Sequence, residues 1–221
     1  MRAIKFLFKF FIYFILITVA WVGLYAIVPP PITATMIMDE NSVTKDWTSF
    51  SDISPNMVRA VIAAEDGKFC SHDGFDTEAI QQAIKRNAQG GRIRGGSTIS
   101  QQVAKNAFLW QGGGFFRKGL EAYFTFLIET IWSKQRIMEV YLNIAETGIG
   151  TYGVQAGAQR YFNKDAKDLT KIEAARIAAA LPLPKKRAVN GASGFTRRYG
   201  NTIAARINVV RNEKLDSCIY K

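Results

Sequence analysis

The chain is poor in the residues that build metal sites in proteins. Its 221 residues include one His and two Cys. Their one short ligand spacing is C-x-H, at Cys70 and His72, whereas a structural zinc site needs four ligands. We therefore expect no metal site built from protein ligands alone. The cysteines, Cys70 and Cys218, lie far apart in sequence, and a disulfide or two free thiols are equally consistent with them.

Charge is absent from residues 10–28, a run of nineteen uncharged, mostly apolar residues. At ~1.5 Å per residue, a helix of this length spans roughly the ~30 Å hydrocarbon core of a bilayer. Three bases precede the run: Arg2, Lys5 and Lys9. No acidic residue occurs before Asp39, so the positive-inside rule places residues 1–9 in the cytoplasm and the rest of the chain across the membrane.

A cleaved signal peptide is the alternative interpretation of this run. Its length exceeds the ~7–15-residue apolar core of such peptides, and VPPPIT contains no small-x-small cleavage site. We therefore expect an uncleaved single-pass anchor in the cytoplasmic (inner) membrane, in contact with membrane lipids. A connector at residues 29–53 would join it to a periplasmic domain at residues 54–221.

Alternation of apolar and polar residues, the pattern of a half-buried strand, is missing over any convincing length. The chain instead predicts an all-α domain. Ser54 before Pro55 is a helix start, and Thr98 and Thr170 open capping boxes closed by Gln101 and Glu173. The predicted helices cover about 54–66, 76–89, 98–109, 116–132, 134–145, 153–162, 170–182 and 196–213. Two glycine-rich loops interrupt them, at 90–96 and 110–116.

Acidic residues are absent between Glu78 and Glu121, although the whole chain carries a net charge of +11. Seven bases fall in this interval: Lys85, Arg86, Arg92, Arg94, Lys105, Arg117 and Lys118. The interval is either a solvated basic face beside anionic headgroups or a site for a phosphate-bearing ligand. Nucleic acid is not expected as a partner on the far side of a membrane.

Glu65 lies seven residues after Val58 on the apolar stripe of the first predicted helix of the domain. Burial raises the pKa of a carboxyl group, which is how a protein makes an acid or base that works near neutral pH. The alternative is that Glu65 and Asp66 end the helix in water. Phe69 and His72 continue the same spacing, and His72 is interpreted as support for the turn rather than as a catalyst.

Glu121 repeats this pattern within FRKGLEAYFTFLIETIW. Arg117 and Lys118 precede it by four and three residues, which on a solvated helix would be ion pairs worth only ~0.3–0.5 kcal/mol. The helix is apolar on most sides, however, which favours burial and a functional site. Two carboxylates are also the minimum for glycosidic-bond chemistry.

The segment GGSTISQQVAKN combines glycines with a helix start, where free N–H groups and the helix dipole suit an anion. Gln101, Gln102 and Lys105 fall in the first two turns. An ordinary capped helix with a polar face is the alternative.

Five motifs occur in order: EDGKFCSHDG, GGSTISQQVAKN, RKGLEAY, KQRIMEVYLN and GTYGVQAGAQRYF. In sequence and spacing they resemble the family 51 glycosyltransferases, the peptidoglycan glycosyltransferases. The resemblance covers residues 40–190, and the chain leaves no room for the transpeptidase module of class A penicillin-binding proteins. We therefore expect the monofunctional form. The resemblance also implies an all-α, lysozyme-like fold with a small membrane-associated jaw lobe.

The resemblance further implies roles for single residues. Glu65 would be the general base that activates the acceptor's 4-hydroxyl, and Glu121 the second catalytic glutamate, near the donor pyrophosphate. Lys105, Arg117 and Lys118 would stabilise the pyrophosphate, with Mg²⁺ or Mn²⁺ bound alongside it. Substrate contacts are implied for Ser97, Thr98, Gln101 and Gln102, and supporting roles for Asp66, Phe69 and His72. Tyr141 and Asn143 would be architectural.

On this interpretation the protein polymerises lipid II into β-1,4-linked glycan, with inversion and release of undecaprenyl pyrophosphate. Its partners would be lipid II, the growing glycan strand and proteins of cell-wall synthesis. Two other hypotheses remain at this point. A lysozyme-type hydrolase also needs two carboxylates but has no use for the cations or the anchor. A non-catalytic membrane scaffold has no use for the glutamates.

Overall fold

The computed structural model describes residues 2–88 and 96–220, and ten α-helices lie in these two ranges. They are α1 (Arg2–Ile27), α2 (Ala34–Ile37), α3 (Pro55–Glu65), α4 (Thr77–Ala88), α5 (Ile99–Phe108), α6 (Gly114–Ile131), α7 (Lys134–Ile144), α8 (Val154–Phe162), α9 (Lys171–Ala180) and α10 (Gly194–Asn212). Short 3₁₀ helices occur at Phe50–Asp52 and Ala166–Asp168. The predicted mostly helical fold class is confirmed.

Local capping accounts for the helix boundaries. The Ser54 hydroxyl accepts the Asn56 N–H before Pro55 begins α3. Thr98 and Gln101 form a complete capping box on α5, and Thr170 and Glu173 form another on α9. The predicted helix starts are confirmed because each depends on groups no more than three residues apart. The loop predicted at 90–96 lies outside the described residues except for Gly96.

The first helix is longer than the predicted anchor and is docked onto the domain. It begins at Arg2, and residues Ile4–Ile27 are long and apolar enough to cross a membrane. The Trp21 ring lies edge-on to Phe108 and Phe124, with centroids 5.2 and 6.2 Å away. The Trp132 indole donates to the Val22 carbonyl over 2.9 Å. The Arg136 guanidinium in the first turn of α7 also donates to the Tyr25 carbonyl. The last turns of α1 therefore pack against α5, α6 and the start of α7, and the helix fits a single-pass membrane anchor.

A small sheet is the element that sequence periodicity did not predict. Its strands are β1 (Thr44–Lys45), β2 (Glu146–Gly148) and β3 (Thr151–Tyr152), in the order β1-β3-β2. β1 pairs with β3 in parallel, and β2 pairs with it antiparallel. Strands of two or three residues are too short for an alternating pattern. Gly150 adopts a φ of +65° in the β2–β3 turn, where a Cβ would lie 2.4 Å from the Ser42 carbonyl oxygen.

Two groups of helices form one continuous core. α3 packs between α9 and α10, while α5 packs against α6 and α7. The C-terminal segment closes over α3, because Cys218 forms a disulfide with Cys70 and Asp216 accepts a 2.7 Å hydrogen bond from Arg59. The structure thus decides between the two states of the cysteines that the sequence left open.

Candidate active site

Glu65 is the last residue of α3 and is half-buried. Its Oε2 accepts a 2.9 Å hydrogen bond from the Gln102 side chain on α5. Its Oε1 is buried and has no hydrogen-bond partner within the part of the chain that the structure describes. Burial raises the pKa of Glu65, and the Gln102 hydrogen bond and the charge of Arg187 offset part of this rise. The carboxylate is therefore buried and basic, with one oxygen free for a proton.

The next residue, Asp66, holds the loop after α3 in place. Its carboxylate accepts the Ile99 backbone N–H at 3.1 Å and contacts His72 Nε2 at 2.9 Å. The Gly74 N–H donates to His72 Nδ1, so Nε2 carries the proton and donates to Asp66. Phe69 is fully buried beneath the ammonium group of Lys134, 4.7 Å from the ring centre. These contacts join the loop to the start of α5 and thereby orient Glu65.

The predicted substrate-contacting residues at the start of α5 differ in how far they are already engaged. Thr98 and Gln101 are buried, and each satisfies the other through the capping box. Thr98 also donates to the Gly74 carbonyl over 2.7 Å. Ser97 is exposed, and its hydroxyl lies 3.4 Å from Lys118 Nζ. Ser97 is therefore open to solvent and Gln102 lines a cavity, whereas Thr98 and Gln101 cap the start of α5.

Glu121 lies on α6, and only 3% of its side chain is exposed. Arg117 Nη1 donates to its Oε2 over 2.6 Å, and Lys118 Nζ contacts its Oε1. Lys118 remains almost half exposed, whereas Arg117 is largely buried. The carboxylate thus orients two cations that lie on the same helix.

Helix α5 connects the two glutamates. Gln102 binds Glu65, and Lys105, one turn later, has its pKa lowered by burial and by the charges of Arg117 and Lys118 while Glu121 opposes the shift. Gln102 and Lys105 line the same cavity, of about 380 Å³. The cavity wall therefore carries the amide that binds Glu65 and the ammonium group that interacts with Glu121.

Sequence reasoning missed two residues beside Glu65. The Tyr199 hydroxyl on α10 donates to the Ala64 carbonyl over 2.8 Å, and Arg187 lies close enough to act on the pKa of Glu65. The Arg187 guanidinium also stacks over the Tyr199 ring at 5.8 Å. Tyr199 precedes the buried Ile203 and Ile207 by one and two turns, a periodicity that could have placed it on the inner face of α10.

A second missed group lies behind the cleft. Glu129 accepts hydrogen bonds from Ser100 and Lys134, and Lys134 Nζ also donates to the His72 carbonyl over 2.6 Å. Glu129 follows Glu121 by eight residues, so it lies on the same face of α6. This spacing was the available signal. The group joins α5, α6 and α7 to the loop that follows Glu65.

Tyr141 and Asn143 are buried on α7, as expected of architectural residues. Asn143 accepts the Thr48 N–H at 2.8 Å and donates to the Thr48 and Glu139 carbonyls. The Tyr141 hydroxyl lies 3.4 Å from Gln102 Oε1. Tyr141 therefore also supports the amide that binds Glu65.

A mostly helical domain in which one glutamate is held by an amide and a second by two cations has the two carboxylates that enzymes of glycosidic-bond chemistry require. A transglycosylase family model matches residues 32–211. The chain therefore belongs to the transglycosylase family, and its enzyme class is that of a peptidoglycan glycosyltransferase.

Relatives described as biosynthetic peptidoglycan transglycosylases align over most of the chain. One from Caulobacter vibrioides is 48% identical over 199 residues, covering 89% of this chain and 87% of the relative. One from Pseudomonas aeruginosa is 49% identical, covering 81% and 82%. One from Escherichia coli is 50% identical, covering 83% and 81%. This similarity agrees with the family resemblance inferred from the five motifs.

Proposed function

We propose that the protein polymerises lipid II. Glu65 removes the proton from the acceptor's 4-hydroxyl, and the oxygen attacks C1 of the donor sugar. The C1–O bond to pyrophosphate breaks as the new β-1,4 bond forms, so the anomeric centre is inverted and undecaprenyl pyrophosphate leaves. The proton ends on Glu65. The single observation that carries this proposal is the buried Oε1 of Glu65, which has no partner among the described residues.

A base suits this chemistry when its pKa lies near the working pH. Burial raises the pKa of Glu65 and so moves it toward this range. Its second oxygen is held by Gln102, so the free oxygen has a defined direction. Asp66, Phe69 and His72 act through the loop that orients Glu65 and are positioning residues.

The leaving group is a pyrophosphate, and cations stabilise the charge that develops as its bond to C1 breaks. Arg117 and Lys118 are held by Glu121, and Lys105 lies close enough for all three to affect its pKa. Glu121 thus organises the cations on the donor side. Ser97, beside Lys118, is placed to donate to a phosphate oxygen.

Mg²⁺ or Mn²⁺ would enter this site together with the substrate pyrophosphate and would neutralise part of its charge. Within residues 2–88 and 96–220, no three His, Cys, Asp or Glu side chains are grouped to hold a metal ion. Both oxygens of Glu121 already face cations. The protein side of the leaving-group site is therefore cationic.

We also propose that residues 1–9 are cytoplasmic, that α1 spans the inner membrane and that the catalytic domain is periplasmic. The bases near the start of α1 support this orientation. So does the Cys70–Cys218 disulfide, because disulfides persist in oxidising compartments. Phe115 and Phe116 are 97% and 73% exposed at the start of α6, where they could enter the lipid surface. Proteins of cell-wall synthesis are the expected partners.

The test is the conversion of lipid II to glycan by the purified full chain in detergent. Glu65→Gln should lower the rate by about 10³-fold, because general-base catalysis contributes ~10²–10⁴. Glu213→Gln, an exposed change beyond α10, is the matched control and should keep full activity. Wild-type protein that forms no glycan, or a Glu65→Gln variant with normal turnover, would refute the proposal.

A further inference from the structure

The cavity beside Gln102 and Lys105 extends to a polar group that the mechanism above does not use. This group, which we call the far cluster, consists of Asp39, Glu146, Tyr152 and Lys185. Its members come from the connector, from strands β2 and β3, and from the segment after α9. Only the folded chain brings them together, and they open into the same cavity as the residues next to Glu65.

Asp39 anchors the far cluster. Tyr152 Oη donates to its Oδ2 over 2.6 Å, and Lys185 Nζ donates to its Oδ1 over 3.0 Å. Asn41 donates to Oδ1 through both its backbone and its side chain. These hydrogen bonds, led by that of Tyr152, hold the pKa of Asp39 well below its usual range. Asp39 is therefore an ionised and fully satisfied group that fixes Lys185 at the cavity wall.

Glu146 is the member with unused hydrogen-bonding capacity. Its Oε1 is buried and lacks a hydrogen-bond partner in the described chain. The Lys185 ammonium nitrogen lies 3.8 Å from this oxygen, too far for a hydrogen bond. Burial raises the pKa of Glu146, while the charge of Lys185 opposes the shift. Lys185 is 47% exposed and has N–H groups beyond the one given to Asp39. An acceptor and a donor thus stand side by side at the cavity.

The chemistry of this pair selects its ligand. A carboxylate on the ligand would be repelled by the negative charges of Asp39 and Glu146, and an ammonium group would be repelled by Lys185. A hydroxyl group carries a donor and an acceptor on one atom, so it can donate to Glu146 and accept from Lys185 across a 3.8 Å gap. We propose that the far cluster is a saccharide subsite in which Glu146 and Lys185 bind one sugar hydroxyl of the glycan. This assignment rests on the proposed function, because it takes the glycan as the ligand.

Direct binding tests the subsite without requiring turnover. The probe is the neutral tetrasaccharide of N-acetylglucosamine, titrated into the purified full chain and measured by calorimetry. Lys185→Met and Glu146→Gln should each weaken binding about tenfold, because a charge-assisted hydrogen bond is lost or weakened. Lys186→Met changes the neighbouring exposed lysine and should bind like wild type. Lys185→Met changes a half-exposed side chain and should fold normally. It therefore tests the subsite even if Glu146→Gln does not fold.

Steady-state kinetics with lipid II then show whether the bound sugar hydroxyl belongs to lipid II or to the growing strand. A raised KM for lipid II at unchanged kcat, in the first coupling of two lipid II molecules, assigns it to the lipid II disaccharide. A raised KM only for a preformed tetrasaccharide donor assigns it to the growing strand. Equal tetrasaccharide affinity in wild type and both variants would overturn the subsite, with solvent filling the gap. A wild type without polymerase activity would instead refute the proposed function, so the two failures are distinguishable.

Discussion

Glu65 and Glu121 both have buried carboxylate oxygens, yet their surroundings are opposite. Glu121 faces two cations, Arg117 and Lys118, one at each oxygen. Glu65 has a neutral amide on one oxygen and no described partner on the other. Burial alone therefore does not define the role of a carboxylate. A paired carboxylate organises the cations around it, whereas an unpaired one keeps its oxygen available to a substrate.

The two sites also differ in how they are assembled. The Glu121 site comes from a single helix, because its cations precede it by three and four residues on α6. The Glu65 site depends on α5, α10 and a C-terminal segment tied by the disulfide. We therefore expect the Glu65 site to be sensitive to distant changes and the Glu121 site to respond mainly to its own residues.

The largest expected effect comes from removing the disulfide. Replacing Cys70 and Cys218 by Ser should cost about 3–5 kcal/mol of unfolding free energy, because the bond closes a loop across most of the domain. Denaturant unfolding measures this loss, and wild type in reductant serves as the control. If the double variant unfolds at the wild-type denaturant concentration, the Glu65 site does not depend on the Cys70–Cys218 disulfide.

A smaller loss is expected from Glu121→Gln. Breaking a buried ion pair leaves charge uncompensated, which costs ~3–5 kcal/mol for a fully buried pair. Lys118 is nearly half exposed, so we expect about 2 kcal/mol by denaturant unfolding. Adding Arg117→Met and Lys118→Met should restore part of the loss. No restoration would show that the cations do not depend on Glu121.

Glu65→Gln should have the opposite sign and stabilise the fold by about 1 kcal/mol at pH 7, because a neutral amide avoids the cost of a buried charge. The pKa of Glu65 is raised in the folded state, so protonated Glu65 stabilises the wild-type fold. This contribution is present in full below the unfolded pKa and is lost as pH rises through the folded pKa. The stability gain of the variant should therefore shrink in acid. Melting curves across this range test it, and a variant that melts below wild type at pH 7 would contradict it.

The smallest effect concerns the pH dependence of activity. Gln102→Leu removes the hydrogen bond that lowers the pKa of Glu65, so the acid limb of kcat/KM should move to higher pH. The pH profile of lipid II polymerisation measures this, with the exposed change Gln159→Leu as control. An acid limb that stays fixed would mean that Glu65 is not the titrating base.

Much of the candidate site could be predicted because its signals are local. Glu65 lies on an apolar helical stripe, seven residues after Val58, and two cations precede Glu121 by three and four residues on the same helix. The capping boxes at Thr98 and Thr170 lie within three residues. Arg187 and the far cluster left no such signal, because their partners lie on other elements; the helical spacing of Tyr199 places it on the inner face of α10 but does not show that it lies beside Glu65.

Local sequence patterns are enough to predict the helical class, the apolar first helix, the helix starts and the two glutamates. Periodicity and capping act over one or two helical turns, so a single stretch of residues contains them. Four features needed the tertiary structure: the Cys70–Cys218 pairing, the docking of α1 on α6, the three short strands of the described ranges, and the oxygens of Glu65 and Glu146 that have no partner there. Each of these depends on which distant segments come into contact, and that is fixed by the packing of the whole core.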